Sequence, residues 1–279
     1  MGLNDQGLAL PTEAPPSPLI EPAEQLVAVA GDWHSSRSAA RKAMRLVREY
    51  SPEIRTMLHV GDFNLGSETP WVAYRQALRD VMRESGVRRI LVTPGNHDNW
   101  GRLVPYFATH PNTPYLVPRL ESISFLPRGY RFEISGRTFL SFGGAASPDQ
   151  EKRTPGKDWW PEEEPTQGDA DLAAQAGTVD IMLAHEAVDN GTGKVDRLLQ
   201  IPNSRFFTEH GLEASQRSRA IVTDVWTRTS PRVLCHGHMH VKDERRLPDG
   251  RRVFSMAAEE MPGNVGVIDL TDLSWTWLA

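Results

Sequence analysis

Residues 26–34 read Leu-Val-Ala-Val-Ala-Gly-Asp-Trp-His. A short apolar run ends on a glycine, and an aspartate and a histidine follow two residues apart. An apolar run that ends on metal-ligand side chains returns four times. Residues 56–62 read Thr-Met-Leu-His-Val-Gly-Asp, and residues 90–98 read Ile-Leu-Val-Thr-Pro-Gly-Asn-His-Asp. Residues 181–185 read Ile-Met-Leu-Ala-His, and residues 233–240 read Val-Leu-Cys-His-Gly-His-Met-His. Four of the five runs are rich in Val, Ile or Leu and short enough to be strands buried on both faces. In open α/β sheets, ligands collect beyond the carboxyl ends of the strands. Five strand ends delivering Asp, Asn and His to one rim therefore predict a metal centre, and more groups are present than one ion can use.

Outward from these runs the pattern is that of parallel strands with covering helices. A helix is expected from about Ser36 to Tyr50, with Ser36 or Ser38 as its N-cap. A second is expected over Pro70–Ser85, with proline in its first turn. The opening thus reads β-α-β-α-β. After Asn99 the character changes: Ser122–Leu126, Tyr130–Ile134 and Thr138–Phe142 read as short strands, the last two joined as a hairpin at Ser135-Gly136-Arg137. Residues 143–168 show no periodic segment and carry a Trp159-Trp160 pair; a loop of this length is uncommon in a compact domain and often functional, for example as a lid. An irregular stretch containing Gly191 and Gly193 follows, then a helix over Glu213–Thr229. Strands are expected again at Val233–Cys235, Lys242–Leu247, Arg251–Met256, Val265–Leu270 and Ser274–Leu278, with Pro248-Asp249-Gly250 as a turn. Residues 1–23 are proline-rich and read as a flexible lead-in. Residues 24–279 read as a single domain.

Composition bounds the function. The chain has 279 residues, a net charge of −5 and a single cysteine, Cys235. One cysteine excludes an internal disulfide framework and a thiolate zinc site. The acidic balance speaks against stable nucleic-acid binding or adhesion to an anionic membrane. With no signal-peptide pattern and no membrane-spanning apolar stretch, a cytoplasmic protein is expected. Oligomeric state is left open.

Asp32 and His34 are two apart, as are His238 and His240, so in extended backbone each pair points one way. Carboxylate and imidazole ligands without thiolate suit borderline to hard ions such as Mn²⁺, Fe, Zn²⁺ or Ni²⁺, and Mn²⁺ is the ion expected. Gly31, Gly61, Gly95 and Gly237 fit tight strand-to-loop turns. His59, His110, His210 and His236 read as structural, surface or supporting residues. Arg37, Arg102 and Arg153 are candidates to grip phosphate oxygens. Asn99 and Trp100, next to the Gly95–Asp98 turn, are candidates to touch substrate.

The ordered set Asp32-x-His34, Gly61-Asp62, Gly95-Asn96-His97-Asp98, His185 and Gly237-His238-x-His240 resembles the calcineurin-like metallophosphoesterase superfamily. The resemblance implies an αββα sandwich of two mixed sheets flanked by helices. It implies two divalent ions, one held by Asp32, His34 and His240, the other by Asn96, His185 and His238, with Asp62 shared. A hydroxide bridging the ions would attack the phosphorus in line. His97 would face the substrate as an acid, with Asp98 orienting it and keeping it cationic. The Ser/Thr phosphatase branch typically carries an arginine after its Gly-Asp motif and a glutamate after Asn-His. Here Phe63-Asn64-Leu65-Gly66 lacks the arginine and Asp98 replaces the glutamate. The expected substrates are therefore phosphodiesters, cyclic nucleotides or nucleic-acid fragments, with phosphopeptides or monoesters as the alternative and a non-catalytic metal scaffold as the remaining reading.

Overall fold

A computed structural model describes residues 24–64, 69–201 and 206–279. The lead-in expected over 1–23 lies outside the described residues. The first half contains β1 (Leu26–Ala30), α1 (Arg37–Tyr50), β2 (Thr56–His59), α2 (Thr69–Ser85) and β3 (Arg89–Val92). It continues through α3 (Trp100–Thr109), β4 (Tyr115–Leu116), β5 (Ile123–Phe125), β6 (Tyr130–Ile134) and β7 (Arg137–Phe142). The second half contains α4 (Gln167–Gln175), β8 (Ile181–Ala184), α5 (Gly193–Gln200), α6 (Glu209–Thr229) and β9 (Val233–His236). It closes with β10 (Asp243–Arg246), β11 (Arg252–Ser255), β12 (Val265–Asp269) and β13 (Trp275–Trp277).

Two mixed sheets result. The first has the order β13-β12-β1-β2-β3-β5-β4, with β1, β2, β3 and β5 parallel. The second has the order β10-β11-β9-β8-β7-β6, with β11, β9, β8 and β7 parallel. Strand alternation divides the apolar runs between layers. Val27 and Val29 of β1, Leu58 of β2 and Leu91 of β3 face Phe139, Ile181, Leu183, Val233 and Cys235 of the second sheet. Ala28, Ala30, Met57, Ile90 and Val92 point the other way, onto Ala39, Ala43, Met44 and Val47 of α1 and Leu78 of α2. The outer face of the second sheet packs Leu140, Met182 and Leu234 against Ala173 of α4 and Val222 and Val225 of α6. The fold is an αββα sandwich. Strands buried on both faces must be apolar at every position, which is why the runs in the sequence are continuous.

Local chemistry sets the element ends. Ser36 caps α1, its hydroxyl accepting from the Ala39 N–H at 3.1 Å. Ser135 and Gly136 both have positive φ, the signature of the two-residue turn that joins β6 to β7. Three helices were not expected from sequence. In α3, Pro105 sits inside the helix and would ordinarily end it. It survives beside exposed Gly101, whose carbonyl is the one left without a donor. In α4, a Thr166–Asp169 capping box starts nine residues too short to show a clear period. In α5, the Gly191 and Gly193 that looked irregular lie just before and at the helix start. The helix α6 begins one turn earlier than expected, capped by Thr208.

Candidate metal centre

Parallel neighbours β1, β2 and β3 end at one rim of the first sheet, and β8 and β9 end at the facing rim of the second. Asp32, Asp62, Asn96, His185 and His238 follow those strands directly. Asp32, Asp62, Asn96 and His185 are all buried to 1% exposure or less.

Among the described residues, Asp32, His34, Asp62 and His240 each present one ligand atom, all within 4.8 Å of one another. His240 Nε2 is 3.0 Å from Asp32 Oδ2 and 3.3 Å from His34 Nε2. His34 Nε2 is 3.9 Å from Asp62 Oδ2. The other carboxylate oxygen of Asp62 turns to a second group. Its Oδ1 is 3.3 Å from His185 Nε2, which in turn lies 2.9 Å from Asn96 Oδ1. The His238 ring packs against His185 at 5.0 Å between centroids.

The second group has a definite polarity. His185 Nδ1–H donates to the Val60 carbonyl at 2.7 Å, so Nε2 of the neutral ring carries a lone pair. The Asn96 amide donates through Nδ2 to Ser147 Oγ at 3.0 Å, so Oδ1 is the atom turned inward. Ser147 donates onward to buried Glu163. Three electron-rich atoms, Asp62 Oδ1, Asn96 Oδ1 and His185 Nε2, therefore converge, an arrangement that fits a divalent cation. Burial resists charging His185, but the Asp62 and Asp32 carboxylates outweigh it and lift its pKa to about 10. Burial likewise resists ionising Asp62, yet the imidazoles of His185, His97 and His34 hold it well below the usual carboxylate range. His240 is raised, first by its bond to Asp32. Burial drives His238 well below the ordinary histidine value, leaving a neutral ring.

The turns that aim these groups are unusual. His34, Asp62, His238 and His240 all have left-handed φ, at 43°, 51°, 66° and 54°. Extended-backbone alternation therefore does not align the Asp32–His34 and His238–His240 pairs, as the sequence reading had it. The chain curls after each strand, and His238 goes to His185 while His240 goes to Asp32 and His34. Two glycines make room for the carboxylates: a Cβ at Gly95 would strike Asp62 Oδ1, and one at Gly237 would strike Asp32 Oδ1.

The remaining predicted residues separate. His97 donates its backbone N–H to Asp62 Oδ1 at 2.9 Å. Its ring lies 5.2 Å from that of His34 and faces Arg153, whose Nη1 is 3.0 Å from Nδ1 and Nη2 2.9 Å from Nε2. Asp149 holds Arg153 through two bonds of 2.9 and 3.2 Å. The Asp98 carboxylate accepts backbone N–H groups, from Asn64 at 2.7 Å and Gly95 at 2.8 Å, and so braces two strand-end turns. Burial, with the Arg153 charge, lowers the His97 pKa against the opposing pull of Asp62. The expectation for Trp100 is corrected. It is 3% exposed, bonds the Gly95 carbonyl at 2.8 Å and lies under the Arg128 guanidinium, so it packs rather than meets substrate. Asn99 caps α3 through the Arg102 N–H. Arg37 is exposed on the first turn of α1. His59 and His236 are buried, with pKa values lowered by burial to about 3 and about 4.

Sequence reasoning missed three carboxylates near the rim. Glu163 has its pKa raised by burial to about 8. Glu186 follows His185 and is raised by burial to about 7. Glu259 Oε2 is buried without a hydrogen-bond partner, 3.9 Å from His34 Nε2. No motif marks these positions; Glu186 reaches the rim as the neighbour of His185, whereas only the fold carries Glu163 and Glu259 there.

The two-sheet rim gathers carboxylate, amide and imidazole donors of the kind that hold divalent cations. The family model of the calcineurin-like phosphoesterases matches residues 26–242, and the chain belongs to that family as a phosphoester hydrolase. Among solved structures, the fold is similar to that of TT1561 from Thermus thermophilus. The TM-score is 0.52 and the identity 11%, over 90% of this chain and 96% of that one. It is similar also to a dimetal phosphatase from Danio rerio, with a TM-score of 0.51 and 11% identity over 88% and 93% of the two chains. No curated protein matches it in sequence. Among the described residues no helix is long and apolar enough to cross a membrane.

Proposed function

We propose that this hydrolase cleaves phosphodiesters of nucleotide type with two divalent ions, Mn²⁺ foremost, on either side of Asp62. Asp32, His34 and His240 would hold one ion, and Asn96, His185 and His238 the other. The observation that carries the reading is the division of the Asp62 carboxylate, with Oδ2 toward His34 and Oδ1 toward His185. When bound, such a pair of ions polarises the phosphoryl oxygens and neutralises charge developing on them.

The chain's own residues supply the rest. Arg153, held in a fork by Asp149, offers a guanidinium beside the rim for a non-bridging oxygen. His97 stands beside the same guanidinium, within reach of the centre, and donates a proton to the departing oxygen. An anionic substrate raises the pKa of a neighbouring imidazole, countering the burial that lowers it in the free enzyme. The diester preference draws support from Phe63 and Asn64 after Asp62, where no arginine stands to clamp a monoester dianion.

A metal-supplemented assay on bis-p-nitrophenyl phosphate tests this, with Asp62→Ala as control. Turnover dependent on Mn²⁺, Zn²⁺, Fe²⁺ or Ni²⁺ and lost in the variant is expected. A wild type that stays inactive with every one of these ions refutes the proposal.

A further inference from the structure

Beside the metal centre lies a cleft that the proposed chemistry leaves unused. It has a volume of about 760 Å³, and His238 and His240 form part of its wall. The rest comes from the end of α5 and Ile201 after it, Phe207 and the first turns of α6, Met239 and Pro148. Leu198, Leu199, Phe207, Leu212 and Met239 line it. None of these five belongs to any of the three buried apolar cores, and all are only partly covered. Half-covered large apolar side chains converging on one concavity are the lining of a ligand pocket, and the volume falls in the range of small-molecule sites. One wall is polar: Arg219, 9% exposed, is fixed there by Asp189 at 3.3 Å and Ser215 at 2.9 Å.

We infer that this cleft binds a bulky, apolar group esterified to the phosphate, with Arg219 at its polar edge. The inference rests on the proposed phosphodiester hydrolysis and deepens it. The shared wall carries the argument. His238 and His240 belong both to the wall of the cleft and to the candidate metal centre, so a group seated in the cleft stands beside the place proposed for the phosphate. An aryl or nucleobase-sized group fills such a space. A methyl ester leaves the five apolar side chains facing water.

The test uses a non-hydrolysable probe with its own fluorescence, (1-naphthyl)methylphosphonate, titrated into the Zn²⁺-loaded full chain. Methylphosphonate serves as the competitor without the apolar group. Burial of the ring predicts that the naphthyl probe binds about tenfold or more tightly than methylphosphonate. In Leu212→Asp, or Leu199→Asn should the first fold poorly, that advantage shrinks toward unity. Equal affinity for the two phosphonates in the wild type overturns the inference, as does an advantage that survives in both variants. Failure of the parent reading is separate: it shows as no diester turnover whatever the probe does.

Discussion

At the scale of single residues, Asp62 and the groups that steer it decide what the rim can do. Left-handed backbone at His34, Asp62, His238 and His240 is costly for residues with a Cβ, and such strain gathers where side chains must be aimed. Asp62→Asn keeps the shape and removes the charge. We expect turnover to fall on the order of 10³-fold and metal content to drop, as measured by plasma mass spectrometry on dialysed protein. Retention of both metal and activity would contradict the assignment. Ser147 acts one layer further out by holding the Asn96 amide with its oxygen inward. Ser147→Ala should weaken metal binding about 10- to 100-fold by titration calorimetry, and unaltered affinity would rule out that steering role. Glu163 gives a pH prediction. Its folded pKa of about 8 lies above its ordinary 4.5, so the folded state holds the extra proton between those values. Its contribution to stability is full below 4.5 and is lost as pH rises toward 8. Urea melts of metal-free protein should show a smaller decline in stability across that window for Glu163→Gln than for wild type. Parallel declines would remove Glu163 as the cause.

At the scale of elements, one arginine ties the 143–168 segment to the sheets. Arg128, in the connection from β5 to β6, donates to the carbonyls of Gly143, Glu162, Glu163 and Glu164 and to Asp169 of α4. Its guanidinium lies over Trp100 of α3. Removing a buried, fully bonded charge leaves several acceptors stranded, so Arg128→Met should cost about 3 kcal/mol in chemical denaturation. A change under about 0.5 kcal/mol, ordinary for surface sites, would mean that the segment is held elsewhere. The elements also show where the sequence was readable. The five strands feeding the rim were legible because burial on both faces forces unbroken apolar runs. Short capped helices such as α4 were not, since nine residues display too little of a helical period. Pro105 hid α3, because an interior proline ordinarily ends a helix; on this exposed face water can reach the carbonyl that the proline leaves without a donor. The ligand residues themselves were legible as types in order, but not their directions: strand alternation stops at the strand end, and turn geometry takes over. Trp100 is the plainest case, a neighbour of the Asn96–Asp98 turn in sequence and a packing residue in space.

At the scale of the molecule, the two sheets meet face to face along a largely apolar seam and bring their functional ends to one edge. Cys235 lies in that seam at 0% exposure, with its thiol pKa pushed up by burial. It should resist a thiol-reactive disulfide until denaturant is added, and rapid labelling of the folded protein would place β9 outside the seam. The whole-molecule arrangement is what makes a shared carboxylate possible, since one sheet supplies Asp32, Asp62 and Asn96 and the other His185, His238 and His240. The cleft at α5 and α6 was not legible in the sequence, because its leucines are scattered and look like core residues until the fold leaves them half covered. The most direct measurement is anomalous diffraction at the manganese edge from crystals soaked in Mn²⁺. The account predicts two peaks about 3.5–4 Å apart with the Asp62 carboxylate between them, one oxygen toward each. A single peak, or two peaks that do not share Asp62, would contradict it.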